Sequence, residues 1–482
     1  MKGKKLRSFF KASFFTLIRF FLVSVLSFVQ LPILIGVYGA EGLGYWALYQ
    51  SLTVVGVVSL LEFGLSASLT RSYSLLSKSR KISLIHSDFS IANTIYIFLS
   101  FALFVIYLVA LQFAEKLNDV YLFIIFFLVL QFPAFNLRAL LSSQLYFSWI
   151  AVWDLSRSVL IFLFVIFLAF WEEMEIEYLF LFDSFVSFLI YCFFYRLSLS
   201  KGLHSSGFSS VSKDFFIRHT EISGIGFFNR LIGIVHQYGP HYFAFIFIGP
   251  AGAGYLSAFR RLPSFLKQVQ GAVNSVVLPF VARLDRGKKQ EETMYVLTKI
   301  SYSVFSVLFL FFIIFVKEIL LLWLGEESSE YFFCVAVLLT MQTLICPFLP
   351  ILSGLYDKRY LFLSAIFSFV SVVFLGLSLA YIENDVAFVM YVIALSQLPL
   401  FFSGVYFFRQ IARIRFGKLI VESLFYIVLP SFALFVSVFY EALYVKFAFY
   451  ILLIILVVIF QYFSLNNQMK NELKGYINSR FL

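Results

Sequence analysis

Charge is scarce in this sequence. Only 13% of its residues are Asp, Glu, Lys or Arg, while 61% are hydrophobic and the mean hydropathy is +0.93. A soluble globular chain is roughly half apolar and a quarter charged, so the composition excludes that class and points to an integral membrane protein. Cysteine is nearly absent as well. Cys192, Cys334 and Cys346 all lie in apolar segments, which excludes a disulfide framework, and no Cys/His spacing matches a metal site. His236 and His241 read as hydrogen-bonded interior residues rather than ligands. No connection between apolar runs is long enough for a separate soluble domain. No paired carboxylates, nucleophile motif or phosphate-cradling glycine loop stands out. These absences weigh against a membrane polysaccharide polymerase or glycosyltransferase, which presents its catalytic residues on a sizeable extramembrane loop.

Apolar bulk is what the chain has in excess, with 67 phenylalanines alone. A spanning helix needs about 20 mostly apolar residues, and fourteen stretches between residues 13 and 464 qualify. The net charge of +11 does not indicate nucleic acid, because the cations sit in short connections between apolar runs and form no continuous basic face. One set of connections holds Arg71, Lys78, Arg80 and Lys81, then Arg196 to Arg218, Arg283 to Lys289, Lys358 and Arg359, and Arg409 to Lys418. The alternate set holds only Lys116, Lys317 and Lys446, together with the acidic run Glu172 to Glu177. The positive-inside rule then places both termini in the cytoplasm. The basic start, Lys2 to Lys11, precedes an apolar run reaching Ile35, too long for a signal peptide and read as an uncleaved first helix.

One motif recurs. Gly39, Gly42, Gly44 and Tyr45 return as Gly249, Gly252, Gly254 and Tyr255 at a constant offset, each set followed by an apolar run and a basic cluster. Glycine suits a tight turn between long helices. The offset covers six spans, an even number, so the two copies enter the membrane in the same orientation. The expected architecture is an all-α polytopic membrane protein with about fourteen transmembrane helices. It divides into an N-terminal lobe at 1–196, a cytoplasmic linker at 197–220, a C-terminal lobe at 221–408, and two further helices with a tail at 409–482.

A charge near mid-bilayer costs about 2.5–3.5 kcal/mol on insertion scales and tends to face an interior or a water-filled cavity. Span 221–247 lines up Ser223, Gly226, Arg230, Gly233, Gln237 and His241 on one face. Span 254–282 does the same with Arg260, Ser264, Lys267, Gly271 and Asn274, with Arg261 beside the stripe. In the first copy, Arg19 matches Arg230 to within one residue of the offset, while Gln50 and Val57 stand where the second copy has Arg260 and Lys267. Arg19 can line a cavity or snorkel to the nearby surface. Tyr238, Tyr242 and Tyr255 can stack on sugars, though packing is the commoner role of such residues. Asp154 and Arg157, three apart, read as a local ion pair. Glu62 has no obvious local partner. It is either a carboxylate that titrates during transport or the acceptor of an interhelical hydrogen bond.

The run GAEGLGYWALYQSLTVVGVVSLLEFGLSASLTR and its second copy, IGPAGAGYLSAFRRLPSFLKQVQGAVNSVVLPFVARLDRGKKQEE, resemble the corresponding helices of Wzx-type flippases. These belong to the MOP superfamily with the MATE exporters and lipid II flippases. Glu62-Phe63-Gly64-Leu65 departs from the Asp-Leu-Gly-Leu of many relatives. The resemblance implies a V-shaped two-lobed transporter of the bacterial inner membrane. It would flip undecaprenyl-diphosphate-linked oligosaccharide, an O-antigen or capsule unit, to the periplasmic leaflet by alternating access. It implies no cofactor, leaves coupling to a proton or sodium gradient open, and makes a polysaccharide polymerase and a chain-length regulator the protein partners. Arg19, Arg230, Arg260, Arg261 and Lys267 would contact the substrate, with Glu62 as the candidate coupling carboxylate. A MATE-like drug exporter is the alternative, and it calls for an acidic cavity rather than a basic one. The topology is testable by reporter fusions, which should read periplasmic after Glu175 and Glu327 and cytoplasmic after Gly207 and at the C-terminus. A periplasmic C-terminus overturns the even span count.

Overall fold

The computed structural model describes residues 2–53, 56–78, 81–113, 119–171, 174–204, 207, 210, 212–281, 306–345, 366, 369–370, 373–377, 385–399, 401–402, 405–406 and 416–464. Every regular element among them is helical. That is what lipid demands of an open chain, because a helix satisfies its backbone hydrogen bonds within itself. The side-chain pattern is inverted relative to a water-soluble fold. Helix α3 (Ile82–Phe113) buries Asp88, Asn93 and Ser100 and exposes Phe98 at 70% and Phe101 at 67%.

The chain divides into two compact units, residues 1–258 and 259–482. The first holds α1 (Lys2–Leu52), a 3₁₀ turn (Val57–Glu62), α2 (Leu65–Lys78), α3, α4 (Asp119–Leu130), α5 (Ala134–Ser143), α6 (Phe147–Phe170), α7 (Glu177–Ser200) and α8 (Lys213–Phe247). It also contains the start of α9 (Pro250–Val281). Within it α1 packs on α6, α4 on α7, and α2 on both α5 and α8. Asn136 of α5 is fully buried where α2, α3 and α5 meet. It accepts from the Tyr73 hydroxyl at 2.8 Å and donates to the Phe89 carbonyl and to Asn93 Oδ1. Between α7 and α8, His204 is buried, 2.8 Å from Ser198 Oγ and stacked on Phe89.

The second unit contains the rest of α9, then α10 (Ser306–Ile314), α11 (Val316–Leu324), α12 (Glu326–Ser329), α13 (Phe332–Ile345), α14 (Val386–Leu395), α15 (Phe416–Phe439) and α16 (Leu443–Ser464). Two lysines of the sparsely charged connections are ion-paired here: Lys446, 1% exposed, with Glu318 at 2.6 Å, and Lys317 with Glu441 at 3.2 Å.

Six helical stretches among the described residues are long and apolar enough to cross a membrane, or seven if α10 and α11, bent by 71°, form one span. Helices α8 and α9 contain 35 and 32 residues, about 50 Å each at 1.5 Å per residue. Parts of the spans expected at 297–316, 331–355, 361–381 and 387–408 fall outside the described residues.

The span expected at 45–70 is not one helix. Helix ends at Leu52, and the chain passes through a turn and the 3₁₀ segment before α2 starts at Leu65. Gly56 permits the turn, since a Cβ there would lie 1.9 Å from the Ser51 carbonyl oxygen. Phe63 and Gly64 close it with positive φ, 50° and 71°. The second copy has Leu266 and Asn274 at the matching places, and α9 runs through unbroken.

The recurring glycines have distinct jobs. Gly39, at a kink within α1, and Gly249, between α8 and α9, both take positive φ, 68° and 103°, a conformation glycine adopts without steric cost. Gly44 and Gly254 allow backbones to touch. A Cβ on Gly44 would stand 1.9 Å from the Pro250 carbonyl oxygen, and one on Gly254 would stand 1.9 Å from the Ala40 carbonyl oxygen. Residues 40 and 250 share the repeat offset of 44 and 254, so exchanging the copies turns one contact into the other. Gly44→Ala and Gly254→Ala should therefore destabilise the protein to a similar degree, by about 1–3 kcal/mol each, while Gly36→Ala, which meets nothing within 4 Å, should not. Thermal unfolding in detergent measures all three.

Candidate functional site

The polar groups of the first unit gather around four carboxylates, and each draws an arginine from another element. Asp154 of α6 lies 3.3 Å from Arg19 of α1 and 2.5 Å from Arg138 of α5. Asp183 of α7, 1% exposed, receives Nε and Nη2 of Arg157 of α6, both at 2.9 Å. Such fork-to-carboxylate pairing is the strong form of the interaction. The Tyr49 hydroxyl donates to Asp183 Oδ2 at 3.2 Å, and its ring stacks on Phe180. The local Asp154–Arg157 pair expected from their spacing does not form. Partners from neighbouring helices reach both residues with better geometry.

Arg138 and Arg157 stand on the wall of a cavity of about 80 Å³ with Tyr49, Gln131, Trp153 and Asp183. Arg138 lies over the Trp153 ring at 4.8 Å, and Arg19 over Phe20 at 4.2 Å, a placement that holds a guanidinium against apolar surroundings. Three arginines face two carboxylates in this cluster, which leaves one positive charge in excess.

Glu62 and Arg230 were read separately in the sequence, and the structure brings them together. The helix break places Glu62 in the 3₁₀ turn, 1% exposed. Arg230 of α8 forms an ion pair with its Oε1, Ser66 donates to the same oxygen at 2.8 Å, and Tyr96 of α3 donates to Oε2 at 3.0 Å. Arg230 also lies over the Phe135 ring at 5.1 Å. Glu62 thus has an interhelical partner that its sequence neighbours do not reveal. It lines a mostly apolar cavity of about 440 Å³ with Phe63, Leu65, Ile95, Leu99 and Phe227. The fourth carboxylate, Asp88 of α3, takes Arg218 of α8 at 2.8 Å.

Arg260 and Arg261 are half-buried on α9. Lys267 lies two turns beyond Arg260 on the same helix face, and its side chain falls outside the described residues. Of the three tyrosines, Tyr242 has its hydroxyl 2.7 Å from Ser51 Oγ. Sequence reasoning did not single out Arg138, Asp183 or Asp88, and it gave Arg157 a different partner. The available signal was a charge within or at the edge of an apolar run.

The buried pair makes a direct prediction. Glu62→Gln leaves Arg230 without its carboxylate and should cost about 3–5 kcal/mol, and Arg230→Leu should cost a similar amount. The double variant should recover most of that loss. Thermal unfolding in detergent decides, and a double variant less stable than either single one contradicts the pairing.

No family model matches the chain, and no characterised protein matches it by sequence. Solved structures do match in fold. The lipid II flippase MurJ, in an inward closed conformation, aligns over 94% of this chain and 97% of its own, with a TM-score of 0.62 and 14% identity. A MOP superfamily transporter from Pyrococcus furiosus, described for the reverse polarity of its binding pocket, aligns over 86% and 96% with a TM-score of 0.62 and 11% identity. A MATE transporter from Vibrio cholerae aligns over 84% and 97% with a TM-score of 0.58 and 10% identity. The spanning helices, the inverted burial pattern and these likenesses together make the chain a multi-pass membrane protein with the fold of the MOP-superfamily transporters.

Proposed function

We propose that the protein is a flippase that moves an undecaprenyl-diphosphate-linked oligosaccharide, an O-antigen or capsule repeat unit, from the cytoplasmic to the periplasmic leaflet of a bacterial inner membrane. The observation that carries this reading is the excess of arginine over carboxylate inside an apolar unit, at Arg19, Arg138 and Arg157 against Asp154 and Asp183. Interior cations favour a cargo whose charged part is anionic, and a diphosphate between a sugar chain and a lipid tail is such a cargo. Arginine grips phosphate oxygens bidentately, while lysine acts as a point charge. Arg260, Arg261 and Lys267 place further positive charge on α9.

A MATE-like exporter of cationic drugs shares the fold and calls for the opposite charge. The Pyrococcus furiosus relative, described for the reverse polarity of its pocket, supports the view that this fold accommodates more than one sign of cargo. In the proposed role Glu62, paired with Arg230, ties the 3₁₀ turn to α8.

Deleting the gene should abolish the surface polysaccharide and strand lipid-linked units on the cytoplasmic face. Delivery of full units to the periplasm, with no other flippase present, overturns the assignment. At Lys267, charge reversal to Glu should abolish output at normal membrane levels of the protein, Arg should retain much of it, and Gln should fall between. Gln performing as well as Arg, with polysaccharide output normalised to protein level, removes Lys267 from the substrate path.

A further inference from the structure

The first turns of α8 carry a buried histidine that the transport reading leaves unused. His219 is 3% exposed. Its Nδ1 lies 2.7 Å from Ser68 Oγ of α2, its Nε2 lies 3.8 Å from Asp88 Oδ2 of α3, and the Phe215 ring stands 4.5 Å away. Asp88 is 1% exposed, and Arg218 reaches its Oδ1 at 2.8 Å. Asp88 Oδ2 and His219 Nε2 face each other, yet among the described residues neither has a hydrogen-bond partner. Buried polar atoms are seldom left this way, because each has given up water without compensation.

A proton strengthens this contact. The neutral imidazole can turn its one N–H to Asp88 while Nδ1 accepts from the Ser68 hydroxyl, whereas the charged ring donates from both nitrogens and sets a positive charge against the carboxylate. We propose that His219 and Asp88 form a proton-binding site that locks the N-terminal end of α8 onto α2 and α3, tightening when the proton binds and loosening when it leaves.

The surrounding charges leave room for this switch. Arg218 is 44% exposed and touches only one oxygen of Asp88, so the second oxygen remains for His219. Tyr73 of α2 directs its hydroxyl to Asn136. Glu62, which lines the same cavity as His219, is matched by Arg230. Asp214 precedes on α8, is exposed, and offers its backbone carbonyl to Arg218. His86 lies two residues before Asp88, on another face of α3. Thr220 and Ser223 line the same cavity of about 440 Å³ as His219, which is roomy enough for water to deliver a proton. The consequence reaches across the repeat, because α8 opens the second copy while α2 and α3 belong to the first.

Hydrogen–deuterium exchange on the full chain in detergent, corrected for intrinsic exchange, tests the site. Protection of residues 213–224 should fall about tenfold between about pH 5.5 and about pH 8, the low end of what a charge-assisted hydrogen bond supplies, while α6 stays unchanged. His219→Gln, which keeps a donor but cannot titrate, and Asp88→Asn should both flatten the dependence. A pH-independent wild type overturns the proposal whether or not the variants fold. So does a His219→Gln protein that keeps the full drop. No substrate is present, so failure here leaves the transport reading untouched.

Discussion

A carboxylate enclosed by apolar helices must be paired or neutralised, because the interior lacks the water that solvates a free charge. That constraint organises the first unit. Glu62 joins the 3₁₀ turn to α8, Asp88 joins α3 to α8, Asp154 joins α6 to α1 and α5, and Asp183 joins α7 to α6. Each pair is directional where apolar packing is not, so together they specify which helix faces sit against one another. Where lipid removes most of the hydrophobic drive between helices, such contacts and close backbone packing hold the assembly.

The two copies of the repeat have diverged in how they handle charge. The first copy breaks its second helix at Gly56 and Gly64 and uses the break to seat Glu62. The second keeps α9 continuous and carries Arg260, Arg261 and Lys267 along it. One copy therefore presents an acid on a turn and the other presents bases on a rod. The acid is answered by Arg230, from the helix that opens the second copy.

Much of this was legible from residues alone. The glycine offset revealed the repeat because Gly39, Gly44, Gly249 and Gly254 are tied to backbone conformations and contacts that other residues do not tolerate. Apolar runs revealed an all-helical membrane protein, with six spanning stretches among the described residues where fourteen were expected. Partner choice was hidden. The spacing of Asp154 and Arg157 invites a local pair, yet Arg19, Arg138 and Asp183 outcompete it from far along the chain. The break after Leu52 was hidden too, since Gly56 stands in an otherwise apolar run and its role depends on where the Ser51 carbonyl lies. Asp88 and His219 lie 131 residues apart, and nothing local in either segment signals the other.

The crossing at Gly44 and Gly254 limits how the two copies can diverge. The atoms that would meet an added side chain are carbonyl oxygens of Pro250 and Ala40, which belong to the main chain and exist whatever residue occupies those positions. A second substitution cannot trim them to make room. The usual evolutionary escape, in which one enlarged side chain is rescued by shrinking its neighbour, is closed at both glycines. The copies are free to exchange acids for bases along their helices, while at this one point each remains bound to the shape of the other.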